Sequence, residues 1–509
     1  MTELEFLQHH QLVRNPFVDE DAQTDTVFRD FCIAGTFHPS WSKVVGDAKQ
    51  PATAIVFGAK GSGKTAMRLQ LINHVTAHNL RHPDQRVFLI PYDDFNAYLG
   101  PLEEHLPRRA RNHPDRILSA LRLWDHMDAM LSEGVTRLVD GVLSPPAANA
   151  GRAVDQDRPV AGPEVLDVAS QLDRLDRGQR RDLLLLCAMY DRSKSGNMQD
   201  RFSALRRRLR FHSWATWLPL AIACILSVLL IAALGGLVAY QTITMRNCLY
   251  AIPVALVLAW GWYAVRWFQR HRLASRICKH LRILARETSQ LRPVLMQFTP
   301  KDIDEQPAPQ SQRSDDRYAL LEKFQLILRT LGYPGLIVII DRVDEPDLVN
   351  GQAERMKQLV WPLMDNKLLK HESFGIKMLL PSELQPYIER ESREFHERSR
   401  LDKQNVVASF DWTGEALYDL LAARMKACAI PNTKPSPKSL FASDVTETRL
   451  LSALQSLKTP RNAFRYVYLL ITEHCKRFRS EAPNYEISSE LFESTLALYQ
   501  SEERRKGVS

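Results

Sequence analysis

The stretch Ala54-Ile55-Val56-Phe57-Gly58-Ala59-Lys60-Gly61-Ser62-Gly63-Lys64-Thr65 joins four apolar residues to a glycine-rich loop ending in lysine and threonine. The apolar run has the length of a short buried strand. The loop fits the pattern GxxxxGK[ST] at every fixed position. Met67, Leu69, Leu71, Ile72 and Val75 follow at spacings that predict a helix. Strand, glycine loop and helix in this order form a phosphate cradle. Glycines let backbone N–H groups turn toward an anion, and the helix N-terminus adds partial positive charge. Gly58, Gly61, Ser62, Gly63, Lys64 and Thr65 are therefore the expected nucleotide-binding residues. Lys64 would reach the β- and γ-phosphates of ATP, and Thr65 would ligate Mg²⁺.

Such a loop needs a second strand ending in an acid. Leu336-Ile337-Val338-Ile339-Ile340-Asp341 supplies it, after an amphipathic helix with Leu320, Phe324, Ile327 and Leu331 on one face. Asp341 is the expected second Mg²⁺ residue. Asp344 and Glu345 are equal candidates to polarise the attacking water, and capping the next helix is the other role open to them. Arg342 occupies the position after the strand acid, where many ATPases carry glutamate. Five apolar segments, 54–57, 87–90, 336–340, 375–380 and 405–410, alternate with helical stretches, which predicts an α/β parallel sheet. Ligands of such sheets sit at the carboxyl ends of strands. Ser382, just after the fourth segment, is then either a γ-phosphate sensor or a helix cap.

Charge is unevenly distributed along the 509 residues. Arg201 to Arg286 holds thirteen basic residues and no Asp or Glu, which leaves −5 for the rest of a chain whose net charge is +8. Inside that region Trp214–Ala239 and Cys248–Val265 are uncharged apolar runs of 26 and 18 residues. About 20 apolar residues span a bilayer core. The runs and their basic flanks predict a two-pass hairpin in the inner (cytoplasmic) membrane, with both termini cytoplasmic and the lipid bilayer as a partner. Trp214, Trp217, Trp260, Trp262, Trp267, Tyr240 and Tyr250 would form its aromatic belts. Met1–Phe17 has no apolar run, so no cleaved signal is expected. Seven scattered cysteines without CxxC suggest buried thiols.

Lys64 and Asp341 lie 277 residues apart, too far for a loop. The expected organisation is residues 1–98 and 314–412 as two parts of one nucleotide-binding domain. Between them come a helical insert (99–213), the membrane hairpin (214–267), and a return helix with linker (268–313). Residues 413–509 form a helical lid, in which Thr459-Pro460-Arg461 opens a helix with Thr as cap and Pro at the first position. Arg461 or Arg424 could reach a phosphate from the lid or from a neighbouring subunit.

With its Walker A motif, an apolar strand ending in Asp341 and an apolar hairpin between them, the chain resembles the KAP family of P-loop NTPases. The resemblance implies an α/β P-loop sheet in the order 5-1-4-3-2, interrupted by membrane helices. It also implies Lys64 and Thr65 as phosphate and magnesium residues. Asp341 and Asp344 match the family's two spaced acids, whereas Arg342 and Glu345 depart from an acid and an arginine usual there. The Thr459-Pro460-Arg461 helix is similar to the lid of initiator-type and signalling ATPases. Several bacterial members are linked to phage exclusion. These features lead to the expectation of a membrane-anchored ATPase that uses ATP and Mg²⁺, forms homo-oligomers and has a signalling or defence role. Two alternatives are a tethered ATPase acting on nucleic acid, which the −5 remainder disfavours, and a nucleotide-bound scaffold that does not hydrolyse.

Overall fold

The computed structural model describes residues 1–143, 168–192, 197–212, 218–239, 245–304 and 306–506. The chain divides into two compact units. One includes Met1–Phe95 and Gly332–Ser509, the other the described residues between Asn96 and Leu331.

The first unit holds a five-stranded sheet of β1 (Ala54–Gly58), β2 (Val87–Tyr92), β3 (Gly335–Ile340), β4 (Phe374–Pro381) and β5 (Asn405–Val407). All neighbours pair in parallel, in the order β2-β3-β4-β1-β5. Every residue of β1, β3 and β4 is buried, as a parallel sheet covered on both faces requires. The fifth strand stops at Val407, short of the apolar segment's end at Phe410, because it pairs with β1 only through Val56. Register aligns the carboxyl ends. Gly58 pairs with Pro381, and Tyr92 with Ile340. The glycine loop, Asp93 and Asp341 therefore leave the sheet from one edge.

The helix Lys64–Arg81 follows the loop and buries Met67, Leu71, Ile72 and Val75. Beyond β5 come the helices Gly414–Ala427, Glu447–Leu457, Pro460–Arg477 and Ser489–Lys506. Thr413, Thr446 and Thr459 cap the first three, each accepting from a backbone N–H in the first turn. The N-terminal segment shares their core. Phe6, Leu7, Leu12 and Phe17 cluster with Leu417, Leu421, Phe464 and Leu470. Val13 N–H donates to the Cys428 carbonyl at 2.8 Å, and Ile430 N–H to that of Gln11 at 2.8 Å. The opening residues thus pack with the C-terminal helices, a pairing hidden from a linear division at residue 98.

The second unit is helical among its described residues. Its core includes the Leu123–Leu143, Arg177–Tyr190 and Asp315–Thr330 helices. A fully buried ion pair sits there. Arg317 donates from Nη2 to Asp128 Oδ2 at 3.0 Å and from Nε to Oδ1 at 3.1 Å, and the Tyr190 hydroxyl donates to Oδ1 at 2.8 Å. Burial pushes the Asp128 carboxyl up to about 6 against the pull of Arg317.

The expected membrane hairpin is overturned. Among the described residues, no helix is long and apolar enough to cross a membrane. The two-pass topology and the inner-membrane location that rested on it fall with it. Several of the arginines taken as a membrane collar make internal contacts instead. Arg201 pairs with Asp191 and Asp140, each at 2.8 Å, and Arg282 with Asp125 at 2.5 Å. Arg266 donates to the Phe298 carbonyl at 2.9 Å, and Arg286 to that of Met189 at 3.1 Å. The basic bias of 201–286 therefore has a source in helix-to-helix pinning. Within the hairpin region Trp260 donates from its indole to Ser227 Oγ at 3.1 Å, joining the helices Leu218–Ala239 and Met245–His280. Trp214, Trp217, Tyr240, the Tyr250 side chain and residues 144–167 of the expected helical insert lie outside the described residues.

Two stability predictions follow from the buried charges. Arg317→Met leaves Asp128 buried without its cation, and urea denaturation should show a loss of about 3–5 kcal/mol. Adding Asp128→Asn should recover much of it. Lys377 in β4 is fully buried, and Nζ donates to the carbonyls of Val44 at 2.6 Å and Val45 at 3.0 Å. Burial pushes this ammonium down from 10.5 to about 8. The folded state then binds fewer protons than the unfolded state between those values, so stability rises with pH across that window. Denaturation series should show this rise in the wild type relative to Lys377→Met, a difference absent below about pH 8.

Candidate functional site

At the carboxyl edge of the first unit's sheet lies a cavity of about 360 Å³. The loop and the helix behind it supply Lys60, Gly61, Gly63, Lys64 and Thr65, and the segment after β3 supplies Asp341, Arg342, Asp344 and Glu345. Arg461 closes it from the C-terminal helices, and Glu20 from the N-terminal segment. Most of the expected site residues therefore converge.

The loop geometry explains its glycines. Gly61 has φ +84° and Gly63 φ +98°, a region that costs other residues about 1–2 kcal/mol. A Cβ on Gly61 would lie 2.7 Å from Arg461 Cβ, and one on Gly58 would lie 2.5 Å from Ser62 Oγ. Lys64 Nζ donates to the carbonyls of Gly58 at 2.7 Å and Ala59 at 3.1 Å. Burial lowers the Lys64 ammonium below its ordinary value, opposed by the charges of Asp341, Asp344 and Glu383. Ser62 is fully buried, and its Oγ has no hydrogen-bond partner among the described residues. Its carbonyl accepts from the Trp412 indole at 2.8 Å.

Asp341 is 2% exposed. Burial raises its carboxyl, while Arg68, the Arg342 amide and Lys64 pull it down. Arg68 Nε stands 3.4 Å from Asp341 Oδ2, and Arg68 Nη1 makes a close ion pair with Asp93. Arg342 adopts φ +61°, and its Nε lies 3.6 Å from Glu345 Oε1. Asp344 and Glu345 line the same cavity, so position alone favours neither as base.

Arg461 touches the loop within one chain. Its N–H donates to the Gly61 carbonyl at 3.4 Å, and its Nε lies 3.7 Å from Glu20 Oε2. Arg424, the alternative, also lines the cavity but is buried in an ion pair with Asp25 and donates to the Pro16 carbonyl at 2.7 Å. Its guanidinium is committed to fastening the N-terminal segment. Ser382 is not among the lining residues. It begins a short 3₁₀ turn, and its Oγ donates to Glu383 at 3.3 Å. The neighbour Glu383 faces the cavity instead.

Sequence reasoning missed Glu20, Glu383, Arg68, His38 and Trp412. His38 stacks on Phe410, with ring centroids 3.7 Å apart. Its Nδ1 accepts from Ser40 N–H at 3.0 Å, so Nε2–H donates to the Asp411 carbonyl at 3.1 Å. Burial pushes the ring down to about 4, which keeps it neutral near physiological pH. Phe410 and Trp412, just beyond β5, were the only signal for this aromatic wall.

Among the described residues, no group of three or more His, Cys, Asp or Glu side chains is arranged to hold a metal ion. Magnesium needs no such cage, since it is commonly held by one or two carboxylates plus phosphate oxygens and water. Asp341 Oδ2 and Ser62 Oγ, neither with a hydrogen-bond partner among the described residues, and glycines where a Cβ would clash fit a magnesium-bound phosphate. No family model matches the chain, and no curated protein or solved structure matches it either.

Gly61→Ala should lower stability by about 1–3 kcal/mol in chemical denaturation, from the strained φ and the contact with Arg461. Gly35→Ala, where an added Cβ meets nothing within 4 Å, should change it by less than about 0.5 kcal/mol.

Proposed function

We propose that the chain is a P-loop nucleotide-binding protein that takes ATP with Mg²⁺ and hydrolyses it. The observation that carries this reading is the convergence of the 58–65 loop and Asp341 at one sheet edge, around a cavity that also holds Lys64, Thr65 and Arg461. In it, Lys64 leaves its loop carbonyls to meet the terminal phosphates. Thr65 and Asp341 would hold the magnesium, which would supply positive charge to a bound phosphoryl group. Arg461 lies against Gly61 and contributes positive charge in cis. Asp344 or Glu345 orients the attacking water.

A second reading is a nucleotide-held switch that turns over slowly or not at all. It is favoured by the Arg342–Glu345 contact, which engages one of the two candidate acids. The family likeness, homo-oligomer formation and a signalling or defence role belong to the same proposal and rest on the motifs alone.

Phosphate release by the purified protein decides between the readings. Wild type should hydrolyse ATP, and Lys64→Ala should be slower by on the order of a hundredfold or more. Glu345→Gln and Asp344→Asn compared side by side should identify the base by the larger loss. Lys64→Ala at the wild-type rate would sink the hydrolase reading, and tight ATP binding without turnover in the wild type would establish the switch.

A further inference from the structure

Arg68 lies one turn after Lys64 on the helix that leaves the phosphate loop. It is 6% exposed, and its guanidinium is shared between two carboxylates on neighbouring strand ends. The two contacts differ in quality. Nη1 forms a close ion pair with Asp93. Nε is 3.4 Å from Asp341 Oδ2, and neither atom has a hydrogen-bond partner among the described residues. The first contact is an anchor and the second is a loose electrostatic one. Without Arg68, Asp341, a carboxylate 2% exposed, would lose the strongest of the cations that oppose its burial and keep only Lys64 and Arg342, a costly arrangement. Arg68 thus supplies at Asp341 the charge that a bound cation would supply.

We propose that Arg68 is a positioning residue that neutralises Asp341 while magnesium is absent, and releases it by turning wholly onto Asp93 when the magnesium nucleotide binds. This rests on the nucleotide reading above and adds a gate to it. The strand register makes the exchange short. Tyr92 and Ile340 are paired neighbours, so Asp93 and Asp341 leave adjacent strands side by side. The guanidinium already spans both, and release of Nε leaves Nη1 in place. Metal affinity is then set by competition at Asp341, with Asp93 as the site that receives the displaced arginine.

The test is a titration of the full chain with a fluorescent N-methylanthraniloyl ATP, first in EDTA and then against MgCl₂. The readout is the Mg²⁺ concentration that half-saturates the magnesium-dependent change. Arg68→Gln should lower this midpoint about tenfold, the scale of one charge-assisted contact, and leave the affinity in EDTA near wild type. Arg68→Lys should return it toward wild type. Asp93→Asn should raise the midpoint in the wild-type background and do nothing in Arg68→Gln, because Asp93 acts through Arg68. Equal shifts by Asp93→Asn in both backgrounds would mean general field effects and overturn the gate. An unchanged midpoint in Arg68→Gln would overturn it too. If Arg68→Gln does not fold, Asp93→Asn alone decides, and an unchanged or lower midpoint counts against the proposal. Failure of the wild type to bind the nucleotide would remove both this inference and the reading beneath it, whereas binding with unaltered magnesium dependence removes only this one.

Discussion

The backbone of Gly61 and Ser62 is gripped from behind, and the cavity depends on that grip. The Ser62 carbonyl accepts the Trp412 indole, and the Gly61 carbonyl accepts the Arg461 amide. With two carbonyls tied to the C-terminal side and positive φ on both sides of Ser62, the loop has the backbone pattern that makes an anion-binding concavity. A side chain at Gly61 would push Arg461 away. The glycine is therefore required twice, by its own φ and by the helix beginning at Pro460. The same helix shares a core with Phe17 and Phe28 near the chain's start. The loop's conformation is thereby tied to both ends of the chain through one continuous apolar cluster, whose burial resists opening in a way no single hydrogen bond could.

Charge inside the cavity is balanced with few polar partners to spare. Lys64 is held by loop carbonyls and lowered by burial, while the nearby carboxylates pull it back. Asp341 shows the mirror image, raised by burial and restrained by Arg68 and Lys64. Two opposite charges that both suffer desolvation gain from a ligand that brings the complementary charges, here a phosphate and a cation. For the nucleotide binding proposed above, a bare anion would relieve Lys64 and worsen Asp341, whereas an anion carrying a cation would relieve both.

How much of this was legible follows from the range of each interaction. The strands could be read because each is a short apolar run, such as Leu336-Ile337-Val338-Ile339-Ile340, set off here by Gly335 before it and Asp341 after it. The loop could be read because its fixed residues are contiguous. Contacts between distant residues left no local trace. Glu20 meets Arg465 across 445 positions, and Arg424 reaches Pro16 across 408, so the N-terminal segment's place beside the C-terminal helices was invisible. The membrane hairpin failed for a related reason. Arg201, Arg266, Arg282 and Arg286 flank apolar runs in sequence, but their partners Asp191, Phe298, Asp125 and Met189 belong to other stretches of the helical unit. A linear charge map counts such arginines as a collar because it cannot show which carboxylates and carbonyls they reach.

The turn after β3 accounts for the missing acid beside Asp341. Arg342 sits at φ +61°, a conformation costing a non-glycine residue about 1 kcal/mol or more. It persists because the turn is fastened on both sides. Val343 is fully buried, and Glu345 N–H donates to the Arg342 carbonyl at 3.2 Å. The left-handed residue reverses the chain, so Asp344 and Glu345 line the same cavity as Asp341. A tight reversal delivers a carboxylate to the cavity three or four residues after Asp341. The strained arginine and the acids three and four residues after Asp341 are parts of one turn.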